Sequence, residues 1–236
     1  MSQHWTDRTV AVVPIRLTDS VARLTIAGRS VLDATVRALR AVDEIGPIVL
    51  ALDGIGEREC LAAIQDPELL NVGVSAPSAN RWLAIQSALA VAGEASAVLI
   101  QDPDRPLISP VAVAELLRES RERPSVVTAL PVYSSIKRVV DGRVVATVPR
   151  DALHAAQSPW IFERHVLDQA LRAAIAQGWS ITHELELARL ANVPVYLAEG
   201  HPYNVPIATH ADARFAEMAV ERRLVSIPGG VAAPAW

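Results

Sequence analysis

Between Thr9 and Val132 the chain alternates short runs rich in β-branched residues with longer stretches whose apolar residues recur at helical spacing. The runs are "TVAVVPI", "GPIVLAL", "NVGVSA", "SAVLIQD" and "SVVTALPV". Between them lie "SVLDATVRALRAV", "ERECLAAIQ", "NRWLAIQSALAVAG" and "PVAVAELLRES". In the first of these stretches Val31, Leu32, Thr35, Val36 and Leu39 share one face, and Ser30 stands where an N-cap would. This alternation predicts an α/β fold with a mostly parallel sheet and helices on both faces. Ligands of such sheets bind beyond the carboxyl ends of the strands. That directs attention to the loops after Val13, after Leu52 and after Ile100.

A chain of 236 residues suits one large domain or two small ones. Its net charge of −4 argues against a general nucleic-acid binder. The single cysteine, Cys60, excludes an internal disulfide and a zinc cluster of the usual kind. No apolar run reaches the ~18 residues of a membrane span, and "MSQHWTDRTV" lacks the form of a signal peptide. A cytoplasmic protein without membrane or nucleic-acid partners is expected. Lys137 is the only lysine, so any chemistry needing an ammonium group must use it or do without.

Two local features stand out. The first strand is followed by Ile15, Arg16, Leu17, Thr18, Asp19 and Ser20, with none of the glycines that bring backbone N–H groups close to phosphates. Further on, "SSIKRVVDGRVVATVPR" places Asp141-Gly142 between two valine-rich runs, a strong hairpin signal because both residues tolerate positive φ. Such a hairpin serves either to extend the sheet edge or to clasp a second subunit; its exposed valines favour the clasp. The Gly-, Pro- and Ala-rich end, "SIPGGVAAPAW", reads as a frayed tail.

Several segments, in order and at similar spacing, resemble the 2-C-methyl-D-erythritol 4-phosphate cytidylyltransferases. "VLIQDPDRPLIS" is similar to the family's "HDAARP" segment. "LPVYSSIKRVVDGRVVATVPRDALHAAQSPWIF" looks like its strand, dimer arm and return. "ITHELELARL" lies over "T-D-[ED]-A", and "GHPYNVPIATHADARFAE" over the segment that begins "G-x-x-x-N-I-K".

The resemblance implies a Rossmann-like fold of the nucleotide-diphospho-sugar transferase type, with a protruding β-hairpin dimerisation arm. It implies one domain over residues 1–225, an arm at about 133–157 and a flexible tail at 226–236. Members act as homodimers and transfer CMP from CTP to methylerythritol phosphate with Mg²⁺. Attack on the α-phosphorus gathers negative charge, which positioned cations stabilise. By the same resemblance Asp102 is the metal ligand. Arg105 and Arg150 stand at the family's arginine positions, with Arg16 or Arg23 left to reach a phosphate. Arg81, Ser135, Arg150 and His183 fall at substrate-contacting positions.

The departures fall on the chemistry. The "P-A-A-G-x-G-x-R" loop is shortened and has lost its glycines and its lysine. Pro206 stands at the second lysine, Ala208 at a threonine, Ala84 at the hydroxyl that helps read cytosine, His183 at an aspartate and Trp160 at a glutamine. Asp104 adds a charge to the metal loop. Two functions are therefore expected to compete. One is a non-catalytic homologue with a binding or regulatory role, joined to itself or to an active paralogue through the arm and binding CTP weakly if at all. The other is an active nucleotidyltransferase with altered substrate or arginine-based chemistry. Trp82, Trp160 and Trp179 read as core or interface residues, and the remaining histidines show no metal-ligand spacing.

Overall fold

The computed structural model describes residues 9–16, 24–53, 73–75, 78, 80–181 and 183–228. The helix expected over "ERECLAAIQ", the turn at 17–23 and the last eight residues of the tail lie outside them.

The core is one seven-stranded sheet. Strands β1 (Thr9–Arg16), β4 (Ile45–Asp53), β5 (Gly73–Val74) and β6 (Ala97–Ile100) run parallel. Strands β7 (Ser125–Pro131) and β11 (Tyr196–Glu199) pair parallel with each other at the far side. Between the two groups lies β10 (His154–Glu163), antiparallel to both β6 and β7. The order is β11-β7-β10-β6-β1-β4-β5. The expected mostly parallel α/β sheet is what the chain forms. Its antiparallel member follows from the hairpin: the chain leaves β7 at the ligand end of the sheet, makes the hairpin and must run back.

Alternate residues of each central strand serve two cores, as the period of two requires. Ala11, Val13 and Ile15 of β1 and Leu50 and Leu52 of β4 face one apolar cluster. Helices α1 (Val31–Arg40), α3 (Pro110–Glu119) and α6 (His210–Glu221) cover it. Val10 and Val12, with Val49 and Ala51, face the other. That face is covered by α2 (Arg81–Ala92), α4 (Arg164–Gln177) and α5 (Glu184–Leu190).

Helix starts are set locally. The Ser30 hydroxyl accepts from Asp33 N–H, the Asn80 side chain from Trp82 and Leu83 N–H, and the Ser109 hydroxyl from Ala112 N–H with Pro110 behind it. A minor two-stranded pair, β2 (Thr25–Ile26) and β3 (Arg29–Ser30), leads into α1.

The hairpin is β8 (Ile136–Val140) and β9 (Arg143–Val148), a separate two-stranded sheet. Asp141 (φ 49°) and Gly142 (φ 75°) both sit in the left-handed region at its tip, as a two-residue turn requires. The stretch assigned to the arm from sequence was longer: His154–Gln157 pair with β7 and belong to the main sheet. At the other end, Ile227, read from sequence as tail, is buried in the first core.

Candidate functional site

Strand β1 continues past Val13 to Arg16 and β4 ends at Asp53, so both charged residues emerge at the carboxyl edge of the sheet. The loop after Ile100 supplies Asp102, Asp104 and Arg105. Because β10 is antiparallel, its beginning, with Ala156 and Gln157, lies at this same edge. Helices α2 and α5 bring Arg81 and Glu184 from their first turns. Together these elements enclose a cleft of about 820 Å³, within the range of small-molecule sites.

The cleft's charges are paired with one another. Arg81 Nη2 lies 2.6 Å from Glu184 Oε1 and 3.3 Å from Asp102 Oδ1. Burial alone would lower the Arg81 pKa, but the Glu184 and Asp102 carboxylates more than reverse this and hold it above its usual value. Arg105 Nε lies 3.4 Å from Asp102 Oδ2, and its Nη1 donates to the Asn204 carbonyl at 2.5 Å. Arg16 pairs with Asp53 at 2.9 Å.

A second layer fixes the Asp102 loop. Asp102 N–H donates to Ser158 Oγ at 3.1 Å, and Asn204 Nδ2 donates to the Ser158 carbonyl at 2.6 Å. The Gln157 amide donates to the carbonyls of His201 and Asn204 and accepts from His201 N–H. A Cβ on Gly200 would stand 2.4 Å from Gln157 Oε1 and 3.0 Å from the Ala129 carbonyl carbon. That position therefore excludes any side chain while Gln157 keeps its place.

A family model described as 2-C-methyl-D-erythritol 4-phosphate cytidylyltransferase matches residues 16–222. The chain belongs to this family. A cytidylyltransferase of that name from Symbiobacterium thermophilum is 33% identical over 201 residues, covering 84% of each chain. One from Prochlorococcus marinus is 30% identical over 199 residues, covering 82% of this chain and 87% of that one. The crystal structure of the Thermus thermophilus 2-C-methyl-D-erythritol 4-phosphate cytidylyltransferase superposes with a TM-score of 0.75 at 25% identity, covering 89% of this chain and 97% of that one.

Within this cytidylyltransferase scaffold, Arg16, Arg81, Asp102, Arg105 and His183 do converge on the cleft. Arg150 and Ser135 do not line it: both are exposed beside the hairpin, where Arg150 Nη1 donates to the Tyr133 carbonyl. Lys137 Nζ is also on the hairpin, donating to Thr147 Oγ1 at 2.8 Å. His183 begins α5 without a side-chain cap bond, and its residue is exposed. Ala84, which the resemblance sets at a base-reading position, is fully buried against the second core. Trp82 and Trp160 are both buried in the second core; Trp82 donates to the Ile181 carbonyl, and Trp160 stands at the cleft wall. Arg23 lies outside the described residues.

Sequence reasoning missed Asp53, Glu184 and Gln157. Asp53 was within reach, since it follows the flagged Leu52; the other two carried no local signal.

A family Mg²⁺ does not fit the donors as they stand. Both Asp102 oxygens already face guanidiniums, one of Arg81 and one of Arg105, and a divalent cation beside them would meet two positive charges first. Among the described residues no three carboxylate, histidine or cysteine side chains are grouped to hold an ion. No helix among the described residues is long and apolar enough to cross a membrane.

Proposed function

We propose that this chain keeps the cytidylyltransferase fold and cleft without CMP transfer from CTP, and works as a binding or regulatory partner. One observation carries the reading: each guanidinium that faces the cleft among the described residues is opposed by a carboxylate of the chain itself. A phosphoryl-transfer site needs cations left over for the charge that builds on the phosphates. To recruit Arg81, a triphosphate would have to draw it from Glu184, and separating a buried pair costs about 3–5 kcal/mol. That is two powers of ten or more in affinity. The one lysine supports the same reading, since it is engaged on the hairpin and not at the cleft.

The hairpin supports a homodimer, or pairing with an active paralogue. Val139, Val140, Val144 and Val145 are each more than half exposed on it, a surface that a second chain would cover.

The second reading is an active nucleotidyltransferase with altered substrate, using Arg16, Arg105 and, across a dimer, Arg150. The convergence of Arg16, Arg81, Asp102 and Arg105 on one cleft favours it. The test is pyrophosphate release from CTP with methylerythritol phosphate and Mg²⁺. We expect no rate above the protein-free blank. Turnover at about 10 per second, ordinary for an enzyme, would overturn the first reading, and the absence of any nucleoside triphosphate binding would sink the second.

A further inference from the structure

Behind the Asp102 loop lies a second, smaller hollow. It is a crevice of about 40 Å³ between the start of α3 and the chain that follows β11. It shares no lining residue with the cleft. Val113, Leu116 and Pro159 wall it with apolar surface, Ser109 and Ala112 stand at its exposed mouth, and Asn204 is buried inside.

Asn204 is 4% exposed. Its N–H donates to the His201 carbonyl, its own carbonyl accepts from Arg105 and Gln157, and its Nδ2 donates to the Ser158 carbonyl. A carbonyl oxygen only accepts, so Nδ2 must be the atom facing Ser158, and the orientation of the amide is fixed. That leaves Oδ1, which is buried and has no hydrogen-bond partner. A buried acceptor in this state favours any ligand that brings a donor. At the mouth, Ser109 Oγ accepts from Ala112 N–H and keeps its own O–H to donate. Among the described residues no arginine or lysine lines the crevice, and the exposed Glu199 carboxylate stands beside it, so an anion is disfavoured.

We infer that this crevice is a binding site for a small uncharged primary carboxamide with a short alkyl body. The ligand N–H donates to Asn204 Oδ1, and its carbonyl accepts from the Ser109 hydroxyl. A water needs ~10–15 Å³ on such a measure, so the space takes about three non-hydrogen atoms, the size of the amide group itself. The alkyl end lies on Ala112 at the mouth. The site also reaches the cleft. Asn204 Nδ2 holds the Ser158 carbonyl, and Ser158 Oγ accepts from Asp102 N–H. A ligand on Oδ1 therefore steadies the loop that carries Asp102 and Arg105, which makes the crevice a control point behind it. The inference goes beyond the non-catalytic reading and does not depend on it.

The test is NMR titration of the isotope-labelled full chain with propionamide and with N,N-dimethylpropionamide. Propionamide should shift the backbone amide signals of Val113 and Asn204 and, through Ser158, that of Asp102, saturating in the millimolar range. The dimethyl compound keeps the carbonyl and the alkyl body but has no N–H, and should bind at least about ten-fold more weakly. Ala112→Trp covers the mouth from an exposed helix position; it should abolish the shifts and leave the thermal midpoint unchanged. Equal binding of the two amides would overturn the inference, because the wild-type chain alone then shows that Asn204 Oδ1 is not the acceptor. Shifts that survive Ala112→Trp would place the ligand elsewhere. No saturable shift with propionamide would mean that the crevice holds only water, and shifts at Asn204 without any at Asp102 would remove its link to the cleft.

Discussion

Glu184 Oε1 and Arg81 Nη2 lie 2.6 Å apart, joining the first turns of two helices that are 103 residues distant in the chain. The Glu184 side chain is 7% exposed and that of Arg81 21%, so the pair is largely withdrawn from water. It is at once a clamp between α2 and α5 and the reason that Arg81 is not spare for a ligand.

Removing one partner should therefore cost more than the pair is worth. Glu184→Ala leaves a guanidinium beside Asp102 alone and should destabilise the fold by about 3 kcal/mol, the lower end for a buried pair because Arg81 keeps a water-facing edge. Replacing both together, Arg81→Met with Glu184→Leu, should recover most of the loss. Urea unfolding of the three variants forms the cycle. Equal costs for the single and the double replacement would refute the clamp.

Gly200→Ala tests the layer behind Asp102. The new methyl meets Gln157 Oε1 and the Ala129 backbone, and the backbone cannot step aside as the amide can. A cost of about 2 kcal/mol is expected, typical of overpacking. Adding Gln157→Ala should relieve only part of it, since Ala129 remains. A Gly200→Ala protein with an unchanged urea midpoint would show that this approach is not tight in solution.

The start of α6 carries a pH-dependent cap. Asp212 accepts from the Thr209 hydroxyl and backbone N–H and from Ala208 N–H, and Thr209 holds its carboxyl below the usual carboxylate range. A pKa depressed by folding means stability that is fully present above the unfolded value and lost as pH falls through the folded one. NMR titration should find the Asp212 midpoint low in the intact chain. In Thr209→Ala it should move up toward that of an ordinary aspartate, and an unmoved midpoint would assign the shift elsewhere.

Charge placed on the hairpin should break self-association without touching the core. Val139→Asp with Val144→Asp alters two side chains that are more than half exposed. Sedimentation should show the dimer constant weakened by at least about ten-fold, or 1.4 kcal/mol, with the thermal midpoint of the monomer unchanged. A wild-type chain that sediments as a monomer at all concentrations would remove the clasp.

Restoring a single family side chain should not restore nucleotide binding. Ala84→Ser puts a hydroxyl on a helix face buried against the second core, where it can bond back to the Asn80 carbonyl. It should cost about 1 kcal/mol and leave CTP binding as it was in calorimetry. A gain in affinity for CTP would mean that α2 presents this position to the cleft.

Much of the fold was legible because its determinants are local. The alternation of β-branched runs with amphipathic stretches marked β1, β4, β6 and β7 and helices α1, α2 and α3. Ser30, Asn80 and Ser109 fix helix starts through hydrogen bonds to residues two or three positions on. Asp141-Gly142 marked the hairpin because only such residues accept two consecutive positive φ values cheaply. The segment after Ile100 was identified as a site loop because a strand end in a parallel sheet is where ligands bind. The extent of the arm was misread because His154–Gln157 carry no signal that distinguishes a hairpin leg from a sheet strand. Only the partner β7 makes that distinction.

The sequence by itself determined the element types, the cleft's position at the strand ends and the chemical inventory: one lysine, no glycine in the first loop, and arginines where cations remain. Tertiary structure alone decided which charges meet. Arg16 and Asp53 are 37 residues apart, Arg81 and Asp102 are 21, and Arg81 and Glu184 are 103. The first pair exists because β1 and β4 are parallel neighbours with Arg16 in register with Asp53. The other two exist because the fold brings the starts of α2 and α5 and the loop after β6 to the same edge. A side chain's charge is written in its residue type; whether that charge is available to a ligand depends on what the fold has placed within about 4 Å of it.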